Sequence, residues 1–172
     1  AHALVFARSV FSFLFYVLLL FTIVMEVLMP CLMFILAPGF EETAGKLALT
    51  TALSRITFPF LLCVSLVSLF SGILNSAGKF WAAAFTPTLQ NIVMIGFLLF
   101  LTPFIHSDFA PAYALSWGVL VAGVVEFCFL LYHLRRIQMT FGLMGPIKSL
   151  FHLTHGVKIL LKKMAPGVLG SG

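Results

Sequence analysis

Hydrophobic residues run along this chain in four long stretches separated by short clusters of proline, glycine and charge, and a weaker amphipathic period follows them. The first stretch, Ser9–Leu36, carries a single charge, Glu26, and its 28 residues exceed the roughly 20 that cross a bilayer, so tilt or bending is expected. Pro30 supplies a cause, because it lacks the N–H that the Glu26 carbonyl would accept in a helix. Ala37-Pro38-Gly39-Phe40 then ends the stretch.

Residues 41–54, with Glu41, Glu42, Lys46, Thr50 and Thr51, read as a polar surface approach to a second helix over residues 55–74. Pro59 falls in that helix's first turn, where a missing donor costs least. Ser65, Ser68, Ser71 and Gly72 put small groups at near-helical spacing, which predicts close packing against neighbouring helices. Asn75-Ser76-Ala77-Gly78-Lys79 is a turn by composition, and Phe80-Trp81 follows as an aromatic anchor of the headgroup level. Residues 37–91 thus predict a membrane hairpin. A third helix opens at Thr86-Pro87, with Thr86 as N-cap, and Pro103 stops it. The fourth covers 112–134, with Ala114, Gly118 and Ala122 as a small-residue packing face, and ends at His133, Arg135 and Arg136.

Beyond residue 136 the pattern changes. Residues 137–146 read as a loop. Over 147–164, Ile147, Leu150, Phe151, Val157, Leu160, Leu161 and Met164 fall at helical spacing opposite a polar stripe, which predicts an amphipathic helix in the interface plane. Its Lys148, Lys158, Lys162 and Lys163 are placed to meet anionic headgroups. Residues 165–172 look like the start of a further span, and with Ala1 rather than Met at the front, the expectation is an internal piece of a longer protein.

Composition agrees with this pattern. Of the 172 residues 62% are hydrophobic and 9% charged, a balance that excludes a soluble domain of this length. The fold class expected is an all-α integral membrane protein with four transmembrane helices, residues 1–136, plus the interfacial helix. The net charge of +5 matters through its placement rather than its size, so no nucleic-acid partner is inferred. Arg8, Lys79, Arg135, Arg136 and the lysines beyond 146 fall on one side of a four-span alternation, and Glu41, Glu42, Lys46, Arg55 and Asp108 on the other. The positive-inside rule makes the first side, with the N-terminus, cytoplasmic. Cys31, Cys63 and Cys128 are far apart in apolar runs and read as small buried side chains.

Candidate chemistry is sparse. No motif of an enzyme, nucleotide site or cofactor site is present, and His152 with His155 lacks the further ligands a metal centre needs. The exceptional residues are Glu26 and Glu126, because a carboxylate in the bilayer costs about 2.5–3.5 kcal/mol on insertion scales and tends to face a bundle interior or wet cavity. Each admits two readings: a proton, cation or cavity group, or a structural carboxyl protonated or hydrogen-bonded to a neighbouring helix. Asn75, Gln90 and Asn91 are candidates for polar-ligand contact or for interhelical hydrogen bonds. Arg55 is a candidate for an anionic headgroup or a snorkelling side chain.

Ile56-Thr57-Phe58-Pro59-Phe60, Gly72-Ile73-Leu74-Asn75-Ser76 and Ala84-Phe85-Thr86-Pro87-Thr88-Leu89-Gln90-Asn91, with Lys163-Met164-Ala165-Pro166-Gly167 further on, resemble the MurJ/MviN family, the bacterial lipid II flippases of the MOP exporter superfamily. The resemblance implies fourteen transmembrane helices in two lobes plus an extra pair. This chain would be the third to sixth helices of the N-terminal lobe, the linker helix and the start of the seventh. It also implies lipid II as partner, the bacterial inner membrane as location, alternating access as mechanism and no cofactor. The family's cavity arginines lie on other helices, and none is carried over here. The alternatives are another MOP exporter, for oligosaccharide-lipids or for drugs in exchange for cations, and a small membrane scaffold without transport.

Overall fold

The computed structural model describes residues 2–37, 39 and 45–137. The expected linker helix, its lysines, the start of a further span, and Glu41 and Glu42 lie outside the described residues. Within them the chain folds into α1 (His2–Leu36), α2 (Lys46–Thr57), α3 (Phe60–Ser76), α4 (Phe80–Leu101), a 3-10 turn (Thr102–Phe104) and α5 (Ala110–Arg136). Four segments are long and apolar enough to cross a membrane: Ser9–Leu36, Lys46–Ser76, Phe80–Phe104 and Ala110–Arg136. This is the all-α, four-span architecture that the hydrophobic pattern predicts.

The boundaries differ from expectation in two instructive places. The second span begins at Lys46, not near residue 55, because the polar stretch is itself helical. Thr50, Thr51 and Thr57 return their hydroxyls to the carbonyls of Lys46, Leu47 and Leu53, so the helix carries them without outside partners. Pro59 then divides α2 from α3 without turning the chain, since Phe58 and Pro59 keep right-handed helical dihedrals. The Leu61 N–H reaches only as far back as the Phe58 carbonyl, at 2.9 Å. The third span begins at Phe80 rather than Thr86, so Pro87 lies inside α4 and Thr86 is no cap. Its hydroxyl donates back to the Ala83 carbonyl at 2.9 Å.

The turn between α3 and α4 is closed by its backbone. Lys79 N–H donates to the Leu74 carbonyl at 2.8 Å and Gly78 N–H to the Asn75 carbonyl at 3.0 Å, the paired bonds of a Schellman motif. Gly78 occupies the left-handed position that this motif requires, with φ of 72°.

Helix α5 is the axis of the bundle, packing against α2, α3 and α4, while α1 packs against α2 and α3. Its small residues make this possible: Ala114, Gly118, Ala122 and Gly123 are buried. A Cβ on Gly118 would stand 3.0 Å from Phe97 Cβ of α4, and one on Gly123 would stand 2.6 Å from the Phe60 ring and 2.9 Å from Cys63 Cβ of α3. The principal core lies toward the end of the bundle that holds the α3–α4 turn. There Phe11 of α1, Leu66, Phe70 and Leu74 of α3, Ala82 of α4, and Leu130 and Leu134 of α5 are buried together. Phe70 stacks between Phe11, at 5.3 Å, and Phe127, at 5.2 Å, and so joins three helices.

Other expectations about packing are corrected. Ser68 and Gly72 are exposed and Gly72 has nothing within 4 Å, so this small-residue face turns away from the other described helices while Leu66, Val67, Phe70 and Leu74 supply the contact. Cys31 and Cys128 are exposed and Cys63 half-buried, so the cysteines are not core residues as a set. In a bilayer an exposed thiol costs little, because lipid is as accommodating as a core.

Gly123→Ala is expected to destabilise the purified chain in detergent by about 1–3 kcal/mol, the usual cost of overpacking. Gly96→Ala, with nothing within 4 Å, should leave the thermal midpoint unchanged or raise it. Equal midpoints for the two variants would show that the α3–α5 approach is looser than described.

Candidate functional site

Helix periodicity places Thr22, Glu26, Met29 and Met33 on one face of α1, and this helix packs on α2 and α3. Thr22 and Met29 are buried. Met33 receives the Ser54 hydroxyl of α2 on its sulfur at 3.5 Å. Glu26 is only half-buried as a residue, yet its Oε1 is shielded from solvent and has no hydrogen-bond partner, and the same holds for Thr22 Oγ1 one turn earlier.

Arg55 of α2 acts electrostatically on the Glu26 carboxyl, but no ion pair within 4.0 Å joins them. Their depths agree. Glu26 lies ten residues before the end of α1 and Arg55 nine residues after the start of α2, each about 14 Å into its span at 1.5 Å per residue. Pro30 frees the Glu26 carbonyl and Pro59 frees the Arg55 carbonyl. A carboxyl on α1 and a guanidinium on α2 therefore lie at similar depth, each on the residue whose carbonyl a proline four positions on deprives of its helical donor. Beside them a cleft of about 360 Å³ is lined by Met25, Met29, Met33, Ser54, Thr57 and Phe58.

The other sequence candidates are not brought to this place. Glu126 is 3% exposed on α5, one turn from Gly123 and on the side that meets Phe60 and Cys63 of α3. Gln90 is half-buried and Asn91 exposed on α4, and Asn75 is exposed in the last turn of α3. Among the described residues none of these three amide side chains makes a hydrogen bond, so the interhelical bonds weighed for them are not formed there. No three His, Cys, Asp or Glu side chains gather among the described residues, and His152 and His155 lie outside them.

Sequence reasoning missed Thr22, because a lone hydroxyl in an apolar helix usually bonds its own backbone. The i, i+4 spacing from Glu26 was the available signal. It also missed a second pocket, formed where Lys79 and Phe80-Trp81 meet His133 and Arg136. Those residues read as two separate helix ends until the antiparallel packing of α4 and α5 joined them.

Four apolar spans with a small-residue axis and buried, incompletely paired polar groups define a multi-pass α-helical membrane protein. The family model described as "Lipid II flippase MurJ" matches residues 1–172, and the chain belongs to that family. A protein of Rhizobium tropici named probable lipid II flippase MurJ is 40% identical over 168 residues, covering 97% of this chain and 31% of the relative. One of Rhizobium meliloti with the same name is 36% identical over 97% of this chain and 30% of its own length. The lipid II flippase MurJ of Burkholderia cenocepacia is 36% identical over 135 residues, 77% of this chain and 25% of the relative. The chain thus spans about a third or less of the length of these curated relatives.

A double-substitution cycle of Glu26→Gln and Arg55→Gln in detergent is expected to give a coupling of about 0.2–1 kcal/mol, the range of open ion pairs. A coupling above roughly 3 kcal/mol, typical of a closed buried pair, would contradict the separation described for these side chains.

Proposed function

We propose that this chain contributes four helices of the N-terminal lobe to a transporter that moves lipid II, the polyprenyl-diphosphate-linked peptidoglycan precursor, across the bacterial inner membrane by alternating access. The reading rests on one observation above others: the flippase family model matches along the whole chain. The role is transport rather than catalysis. The N-terminus, Lys79 and Arg136 face the cytoplasm by the positive-inside rule, and Lys46 and Asp108 face the opposite side.

Within that reading these helices serve as scaffold. The α1–α3–α5 aromatic stack and the glycine contacts of α5 give a unit that moves as a body, which alternating access needs. The cavity that holds the diphosphate belongs to helices other than these. Glu26 with Arg55 is the coupling candidate here, since a carboxyl without a fixed partner one turn before a proline is free to exchange a proton or cation. Glu126 is a structural carboxyl facing α3. Asn75, Gln90 and Asn91 are left for contacts with substrate or with the transporter's remaining helices. Lys148, Lys158, Lys162 and Lys163 hold the linker helix to anionic lipid.

A segment swap tests the function. The matching segment of the Rhizobium tropici relative is replaced by this chain, and the chimera is expressed in cells depleted of their own flippase. Growth and lipid II translocation are the expected results, and a membrane-inserted chimera that restores neither counts against the reading. Glu26→Gln in a working chimera is expected to lower translocation about tenfold or more, a conservative bound on the roughly 10²–10⁴-fold that positioned proton-transfer groups contribute. Unchanged translocation across a pH series would remove Glu26 from coupling.

A further inference from the structure

The pocket at the α3–α4 turn has a composition that the scaffold reading leaves unused. It encloses about 470 Å³ between the turn and the last turns of α5, with Lys79, Trp81, His133 and Arg136 around an apolar base that includes Leu74 and Ala82. We propose that this pocket binds the phosphate headgroup of an anionic phospholipid.

Charge is the first argument. Lys79 and Arg136 come from different helices to one opening, and neither pairs with a carboxylate among the described residues. Of the three acidic residues among those described, Glu26 is fifteen residues along α1 from Phe11 of the core at this end, Asp108 lies in the loop at the far end of α4, and Glu126 is ten residues before Arg136 on α5, about 15 Å along the helix. Two unneutralised cations that share a cavity attract an anion.

Geometry is the second. The Arg136 guanidinium lies 5.2 Å from the Tyr132 ring centroid, which orders it by a cation–π contact and leaves its N–H donors available. His133 Nδ1 is 2.9 Å from the Phe129 carbonyl. A carbonyl only accepts, so Nδ1 carries the proton there and Nε2, an acceptor in the neutral ring, is left for a water or a headgroup hydroxyl rather than for the phosphate itself. Trp81 rests 5.7 Å from the His133 ring and 5.5 Å from Phe85, which fixes the indole as one wall. The Schellman bonds of Leu74 and Asn75 fix the backbone at Lys79.

Position separates a lipid from a free anion. Phe80 and Trp81 are 63% and 66% exposed at the very start of a membrane span, the level at which aromatic rings meet headgroups. The apolar base receives glycerol and the first methylenes, whereas inorganic phosphate would leave it unused.

The chain carries two tryptophans, so Trp117→Phe leaves Trp81 as the sole fluorophore, beside the pocket. The full chain with this substitution is titrated in detergent micelles with phosphatidylglycerol or phosphatidylcholine brominated near the headgroup, and Trp81 quenching is read. Brominated phosphatidylglycerol is expected to quench at lower mole fraction. Lys79→Gln and Arg136→Gln should each weaken its apparent affinity about fivefold, as for a basic side chain near an anionic surface. Lys46→Gln, an exposed cation at the other end of the second span, should change nothing. Both cations are exposed at helix ends, and circular dichroism establishes that each variant stays helical. Equal quenching by the two lipids, or a preference that survives the double substitution, overturns the proposal. Loss of the preference on adding inorganic phosphate at constant ionic strength assigns the pocket to a free anion and overturns the lipid.

Discussion

The close approach of α5 to its neighbours is the constraint on which the rest of this structure depends. Lipid tails are as apolar as leucine, so no hydrophobic force draws these helices together, and contact must come from shape. Gly123 lets Phe60 and Cys63 of α3 lie where a methyl group would stand, and Gly118 does the same for Phe97 of α4. Once α5 is seated, Leu130 and Leu134 reach the core at the α3–α4 turn, and Phe70 can stack on both Phe127 and Phe11. The position of α1 therefore depends indirectly on glycines in a helix it barely touches.

Spans, their number and the packing face of α5 were legible in the sequence, because long apolar runs and the fourfold spacing of Ala114, Gly118 and Ala122 are direct signatures of helices packing in lipid. Two proline positions were not. Proline at 59 and 87 reads as a helix start on the rules for water, where a first-turn position is least costly. In a bilayer, local adjustments re-satisfy the freed groups, and the helix continues through. The Ser65, Ser68 and Gly72 face illustrates the opposite limit. Small-residue spacing marks a surface fit for close packing, but not which helix packs there, and no described helix does. Pairing of Lys79 with Arg136 required tertiary structure, since the 56 positions between them carry no pattern that joins them.

The hydroxyls along α2, α3 and α5 show how a membrane helix carries polar side chains without assigning them work. Ser65, Ser68 and Ser116 each donate to a carbonyl four residues back, at 2.7, 2.9 and 2.9 Å. Against that background Thr22, Glu26 and, at the end of α4, Thr102 stand out. Their buried oxygens have no such partner, and an unpaired polar atom in a low-dielectric setting costs about 1–3 kcal/mol. A cost of this size is tolerated where a water, an ion, a proton or another helix supplies the missing bond at some stage of the protein's work.

Glu26 and Glu126 therefore are not two copies of one feature, although the sequence presents them alike. Glu126 is enclosed on the side of α5 where Gly123 admits α3, in the most tightly fitted part of the bundle. Any change in its charge must be met inside a packed interface. Glu26 lies one turn before Pro30 of α1, beside a cleft and within the field of Arg55. Rearrangement there costs less, because α2 contributes no buried residue that would have to move. The same type of side chain is held fixed in one place and left adaptable in the other, and what separates them is the packing of the helices around each.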